Sequence, residues 1–221
     1  WGTWGDMLVG DDNQMDEDQP GNQLATVDLR WGDTAWGVPY GIYWQSMGED
    51  SFSPERFPPF QEMSYLYGAD VSYELMNQSI TNFIEYSETE PNCGDDLGDC
   101  AYEHHIYKSG YRYKARSLGS TYDNDAHTYT LGFIGRNNQN TQNWFVALRY
   151  LELNRDDSNK NDPGGNTVSA SAEDIFQMEM TYQMPFWVGE LETGLIYNNI
   201  SPKHGNSDET LDVWAQWQYQ F

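Results

Sequence analysis

Four of the chain's eleven Lys and Arg fall in one stretch, YEHHIYKSGYRYKARSLGSTYDND, residues 102–125. Lys108, Arg112, Lys114 and Arg116 are interleaved there with Tyr102, Tyr107, Tyr111, Tyr113 and Tyr122. A tyrosine ring can stack on the apolar face of a sugar while its hydroxyl hydrogen-bonds, because the side chain has an apolar body and a polar tip. An arginine presents a planar fork of donors that matches a carboxylate, uronic acids included. Tyr102, Tyr107, Tyr111, Arg112, Tyr113 and Arg116 are therefore the candidate saccharide-binding residues. The same bases have an internal use, which is to neutralise carboxylates such as Asp70, Glu74, Glu179, Glu190 and Glu192. Asp123, Asn124 and Asp125, which close the stretch, read as a structural motif of a loop folded inward.

Other reactive groups carry less. Acidic runs at Asp11, Asp12, Asp16, Glu17 and Asp18 and at Asp95, Asp96 and Asp99 offer hard oxygen ligands. Neither run has the ordered calcium-loop pattern with its closing Glu, and solvated, self-repelling loops are the simpler account. Of the four histidines, His104, His105, His127 and His204, only His127 falls on a predicted strand. No Gly-x-Ser-x-Gly turn supplies a nucleophile for it, so no catalytic set is predicted, and a hydrogen-bonding histidine is the expectation. Abundant carboxylates are no glycosidase signal in a chain with 35 Asp and Glu. Cys93 and Cys100 lie in PNCGDDLGDC; two cysteines so close in a Gly- and Asp-rich loop predict a loop-closing disulfide in an oxidising compartment. No metal site or cofactor is predicted. A formal net charge of -24 disfavours binding to a phosphate backbone, so no nucleic-acid partner is expected.

The elements that must position these residues are strands. In ETLDVWAQWQYQF, Leu211, Val213, Ala215, Trp217, Tyr219 and Phe221 share one side, with Trp214 the one large apolar residue opposite. Period-two alternation recurs over about ten segments: 1–10, 22–31, 37–48, 62–76, 79–89, 126–136, 143–155, 174–185, 187–199 and 209–221. The segment 79–89 fits least well, because Phe83 shares a side with Thr81 and Glu85. Helical periodicity is absent throughout. Between strands, short turns such as Met76–Ser79 and Met184–Trp187 alternate with long polar connections, the longest being 90–125. A soluble sandwich has no reason to collect its long loops at one end, whereas an outer-membrane barrel has short periplasmic turns and long extracellular loops. Aromatics at 15% of residues, several at strand ends, suit the interface girdles of such a barrel. A mean hydropathy of -0.79 is compatible with it, because alternation averages the apolar face away. The fold class predicted is all-β: an antiparallel transmembrane outer-membrane β-barrel, with about ten strands present from a larger barrel.

Three stretches resemble the capsule-assembly Wzi family of bacterial outer-membrane proteins. They are NQLATVDLRW (22–31), YGIYWQSMGED (40–50) and, most specifically, GYRYKARSLGSTYDNDAHTYTLG (110–132). The last combines a Tyr-Arg-Tyr segment, a following Arg and Gly, and an Asp-Asn-Asp before a strand. The resemblance runs from about residue 20 to the C-terminus. It implies a barrel of roughly eighteen strands, a size known for such proteins. Residues 1–221 would be its C-terminal portion, without the signal peptide, the small periplasmic helical element and the N-terminal strands. The function implied is non-enzymatic and lectin-like: organising or anchoring capsular polysaccharide or exopolysaccharide at the cell surface. The expected partners are that polymer, outer-membrane lipid and lipopolysaccharide, and the barrel assembly machinery through the C-terminal strand. The expected location is the outer membrane, with loops facing the exterior. The alternative is a porin-like diffusion channel with an acidic, cation-preferring lumen. A hydrolase dependent on His127 stands third. Loop 90–125 separates the first two: folded inward it blocks a pore, and held outside it leaves one.

Overall fold

The computed structural model describes residues 24–49, 61–90, 101–102, 110–114, 116–137, 139, 141–155, 157 and 166–219. Nine long strands form one antiparallel sheet in which every neighbour in space is the next long strand in sequence. They are β1 (Leu24–Ala35), β2 (Val38–Glu49), β3 (Gln61–Leu75), β4 (Gln78–Glu88), β7 (Ala126–Asn137), β8 (Gln142–Leu153), β9 (Glu173–Phe186), β10 (Gly189–Pro202) and β11 (Asp208–Gln218). A small hairpin, β5 (Arg112–Tyr113) with β6 (Arg116–Ser117), stands apart inside the longest connection. Nine of the predicted segments match these strands within a few residues. The tenth, 1–10, lies outside the described residues, as does Phe221. β1 and β11 each pair on one side only, so the described strands form an open sheet.

Short turns take the shape that right-handed strand twist demands. Trp36 and Gly37 have φ of 51° and 81°, and Met76 and Asn77 have φ of 50° and 63°. Two consecutive positive φ values are the signature of a two-residue type I′ hairpin turn. Trp36, at the first of these turns, and Trp187, with φ of 56° at the two-residue turn between β9 and β10, sit almost fully exposed, 101% and 88%. A soluble protein gains nothing by placing a naked tryptophan at a turn, whereas a membrane–water interface favours it.

The two faces of the sheet differ chemically. On the outer face, cross-strand register aligns Leu29, Trp44, Tyr67, Tyr86, Tyr129, Tyr150 and Phe176 in one row. Ring centroids along its centre are 6.3, 5.0 and 6.2 Å apart. The opposite ends of the strands carry Trp31 edge-on to Tyr40 and Trp187 beside Trp217. Between these aromatics lie exposed Ile42, Ile84, Leu131, Met180 and Val213. Along β9, Phe176 and Phe186 bound an apolar run of ten residues' rise. At ~3.3 Å per residue and ~40° tilt that run is ~25 Å tall, the height of the apolar band of an outer-membrane barrel.

The inner face is polar and hydrogen-bonded from strand to strand. Arg30 pairs with Asp70 at 2.6 Å, and the Tyr43 hydroxyl donates to Glu85 at 2.7 Å. Arg149 reaches Gln177 at 2.8 Å and Glu179 at 2.6 Å, and Gln177 continues to Asn198. Asp70 and Glu179 are thus matched by strand arginines rather than by the bases of loop 102–125. This corrects the internal pairing expected for those two carboxylates.

Phe83 and Trp214, the two residues that spoiled the alternation, point to this inner face and lie on glycines across the ladder. A Cβ added at Gly132 would come within 2.0 Å of the Phe83 ring, and one at Gly194 within 2.2 Å of the Trp214 ring. The large residue on one strand fills what the missing side chain on the next leaves open, so the irregularity is packing and not a misplaced strand. Gly132→Val should therefore cost about 1–3 kcal/mol by overpacking. It would appear as a lower temperature at which the folded form is lost on heat-modifiability gels, partly restored by adding Phe83→Ala. An unchanged temperature would show that Phe83 is free to move aside.

Candidate functional site

The described part of the connection between β4 and β7 lies against the inner face. Its last residues, Asp123, Asn124 and Asp125, are each 0% exposed. Thr89, just past β4, is the anchor. Its hydroxyl donates to the Asp123 carbonyl at 2.7 Å, its amide to the Ala126 carbonyl at 2.9 Å, and its carbonyl accepts the Asp125 amide at 2.8 Å. Asp123 and Asp125 have φ of 65° and 47°, a left-handed conformation that Asp and Asn tolerate better than most residues. Asn166 and Thr167, from the β8–β9 connection, fasten the same motif. The Asn166 amide nitrogen donates to the carbonyls of Tyr122 and Asn124, and Thr167 donates its amide and hydroxyl to the Asp123 carboxylate.

The key fastening is an ion pair within the loop. Arg112 Nε lies 2.9 Å from one Asp123 oxygen, and its Nη2 lies 2.9 Å from the other. Both side chains are almost fully enclosed, 3% and 1% exposed. Arg112 sits on β5 opposite Ser117, and Tyr113 opposite Arg116. Period two along the hairpin therefore sends Arg112 to one face and Tyr113 with Arg116 to the other. Lys114, at the turn, places its ammonium 5.4 Å from the centre of the Tyr113 ring, and Tyr113 is 64% exposed.

The six candidate saccharide-binding residues consequently separate. Tyr111, Tyr113 and Arg116 are exposed. Arg112 is engaged by Asp123. Tyr102 is a buried pillar: its carbonyl accepts the Tyr111 amide at 2.7 Å and its hydroxyl accepts the Ser120 amide at 3.0 Å. Gly119 packs against that pillar, where a Cβ would meet the Tyr102 ring at 2.4 Å. Tyr107, Cys93, Cys100, His104, His105 and both acidic runs lie outside the described residues.

Between this roof and the sheet lies a cavity of about 750 Å³. Its wall comes from β1 to β4 and β7 to β9, mostly from inner-face positions including Gln45, Phe83, Glu85, Arg149 and Glu179, and its roof from Tyr102, Tyr111 and residues 118–122. Tyr102 and Tyr111 stack with centroids 6.4 Å apart. Tyr122 packs on the small core formed by Ala126, Leu151, Leu153 and Ile175, and burial pushes its hydroxyl pKa up. Sequence reasoning had not marked Glu85, Arg149 or Thr89. The one available signal was the run of polar residues Thr81, Glu85 and Ser87 on the side of 79–89 that also carries Phe83.

His127 is on the outer face at the start of β7. Its ring nitrogens lie 3.3 Å from Glu90 and 3.5 Å from Glu152, and Arg155 joins the cluster. Among the described residues it faces these charged side chains and, edge-on, the Tyr86 ring at 5.9 Å. Among the described residues no group of three His, Cys, Asp or Glu has metal-binding geometry.

A second clip closes the neighbouring loops. Asp157 accepts the Ala172 amide at 3.0 Å and contacts His204 at 2.9 Å, and the Lys203 amide donates to the Ala172 carbonyl. The Ala172 amide first, then His204 and Lys203, holds the Asp157 carboxyl below its usual range. A depressed folded pKa stabilises above the unfolded value and is lost as pH falls through the folded one. Amide exchange at Ala172 should accordingly be slow at pH 6, relative to its intrinsic rate, and lose protection below about pH 4. Asp157→Asn should remove that pH dependence.

The sequence profile described as "Capsule assembly protein Wzi" matches residues 1–211. The chain belongs to the Wzi family. A solved Escherichia coli structure, described as Wzi, an outer membrane protein involved in group 1 capsule assembly and a carbohydrate-binding β-barrel, is similar with a TM-score of 0.71. The likeness covers 88% of this chain at 24% sequence identity, a level that speaks to the fold. The chain spans 41% of the length of that structure. No curated protein matches. The nine-stranded sheet is thus a section of a Wzi-type β-barrel wall, with the most specific family-like stretch, 110–132, spanning the end of the β4–β7 connection and the first part of β7.

Proposed function

We propose that this Wzi-family chain is a non-enzymatic outer-membrane protein that anchors capsular polysaccharide or exopolysaccharide at the cell surface. The observation that carries this reading is the described part of loop 102–125. It lies over the polar inner face, a position that would obstruct a pore, and it carries Tyr113 and Arg116, with Lys114 beside the Tyr113 ring, on the hairpin face opposite Arg112. An exposed ring flanked by two cations suits an acidic sugar, with stacking and charge acting together. One such contact is weak, but a repeating polymer meets many copies of the protein and gains by avidity.

The apolar outer face then meets lipid and lipopolysaccharide, and the long connections face the exterior. The aromatic outer row of β11, with Trp217 stacked on Tyr219, supports recognition by the barrel assembly machinery. The test is deletion of the gene in its host, with cell-bound and shed polysaccharide compared. A shift to the shed fraction at unchanged total synthesis is expected. Unchanged retention would discard the anchor, and large single-channel conductance of the intact protein would favour a channel.

A further inference from the structure

The cavity beneath the roof has the opposite charge preference to the tip above it. On its wall, the Arg149 guanidinium is already bound to Glu179 at 2.6 Å and Gln177 at 2.8 Å. Glu85 takes its hydrogen bond from a neutral donor, the Tyr43 hydroxyl. Among the described residues, that carboxylate therefore has no cationic partner where the wall meets the cavity. Arg112, the cation nearest in sequence to the roof, is held by Asp123. A uronate or phosphate entering would meet like charge, while a sugar hydroxyl would find acceptors in Glu85 and Gln45 and an apolar platform in Phe83 and Tyr111. The volume, about 750 Å³, falls within the range of small-ligand sites.

We infer that this cavity is a binding site for a neutral, hydroxyl-rich saccharide segment, separate from the acidic-polymer contact at Tyr113, Lys114 and Arg116. The inference rests on the anchoring function and refines it: the same loop presents a cationic aromatic tip outward and an anionic pocket inward. A polymer whose repeat contains both acidic and neutral sugars would be gripped by its charge at the tip and by its neutral branch beneath the roof.

The test uses the full-length protein in detergent, titrated with neutral gluco-, galacto- and manno-hexasaccharides and with an oligogalacturonate, read by saturation-transfer NMR. At least one neutral hexasaccharide should bind. Glu85→Gln, which keeps the shape of the site, should weaken it about tenfold, the scale of a hydrogen bond to a charged acceptor. Leu118→Trp, which fills the cavity from the roof, should abolish it. Tyr113→Ala with Arg116→Ala should leave it unchanged. Binding by none of the neutral probes, or binding indifferent to both Glu85→Gln and Leu118→Trp, overturns the inference. If cells lacking the gene still shed polymer while the purified cavity binds nothing, the anchor stands and the cavity site falls. If retention on those cells is normal, the anchor itself has failed.

Discussion

Asp123→Ala should release the roof while leaving the barrel wall folded. The substitution takes from Arg112, whose side chain is 3% exposed, the carboxylate that both its Nε and Nη2 reach. Breaking a buried pair by removing one partner costs about 3–5 kcal/mol, because a desolvated charge loses its close counter-charge. Two smaller losses add to it. Thr167 loses the acceptor of its amide and hydroxyl, and alanine must adopt φ of 65° without the local side-chain bonding that makes it tolerable for Asp. None of these groups belongs to the nine-stranded ladder, so heat-modifiability on gels should persist. The amide of Tyr111, protected by the Tyr102 carbonyl at 2.7 Å, should exchange about a hundredfold faster or more. Single-channel conductance should rise as the loop leaves the inner face. Adding Arg112→Met should restore much of the protection, since the buried cation is then gone. Wild-type exchange in Asp123→Ala would mean that Thr89 and Asn166 hold the loop without the ion pair.

The contrast between wall and roof explains what could be read from the chain. A strand's faces alternate at period two, so each β segment announces itself within its own residues, and nine strands were legible that way. The exceptions were Phe83 and Trp214, and their reason lies on another strand, at Gly132 and Gly194. No window on one segment contains it. The roof is harder still. Asp123, Asn124 and Asp125 were recognisable as a structural motif, because three small polar residues before a strand suit a tight turn. Their partners were not, since Thr89 lies 34 residues upstream of Asp123 and Thr167 lies 44 residues downstream. Arg112 shows the consequence. Its residue type suited both a ligand carboxylate and an internal one, and only the register of the β5–β6 hairpin decides that it turns inward while Tyr113 and Arg116 turn out. The cavity was invisible for the same reason, being assembled from residues of seven separate strands, β1 to β4 and β7 to β9, and of the roof.

Replacing Tyr113, Lys114 and Arg116 together with alanine should cause the largest loss of polymer retention at the smallest structural cost. All three are exposed; Tyr113 and Arg116 lie opposite Arg112 on the hairpin and Lys114 reaches the Tyr113 ring, so the roof keeps its fastening and the amide of Tyr111 should stay protected. Each site on its own would lose only about 1 kcal/mol, or about fivefold, because exposed stacking and ion contacts are individually weak. Retention does not depend on one site. If a polymer chain engages about three copies at once, a fivefold loss at each multiplies to about a hundredfold. Cells carrying the triple variant should therefore shed most of their polysaccharide, although isolated protein would bind a short acidic oligosaccharide only modestly less well. Raising ionic strength should mimic the variant in the wild type, since the charged part of an exposed contact is screened within a Debye length of ~8 Å at physiological salt. The same salt should leave neutral saccharide in the cavity undisturbed, where hydroxyl hydrogen bonds and ring stacking carry the contact. Normal retention by the triple variant, with the roof intact, would move the polymer contact off this hairpin.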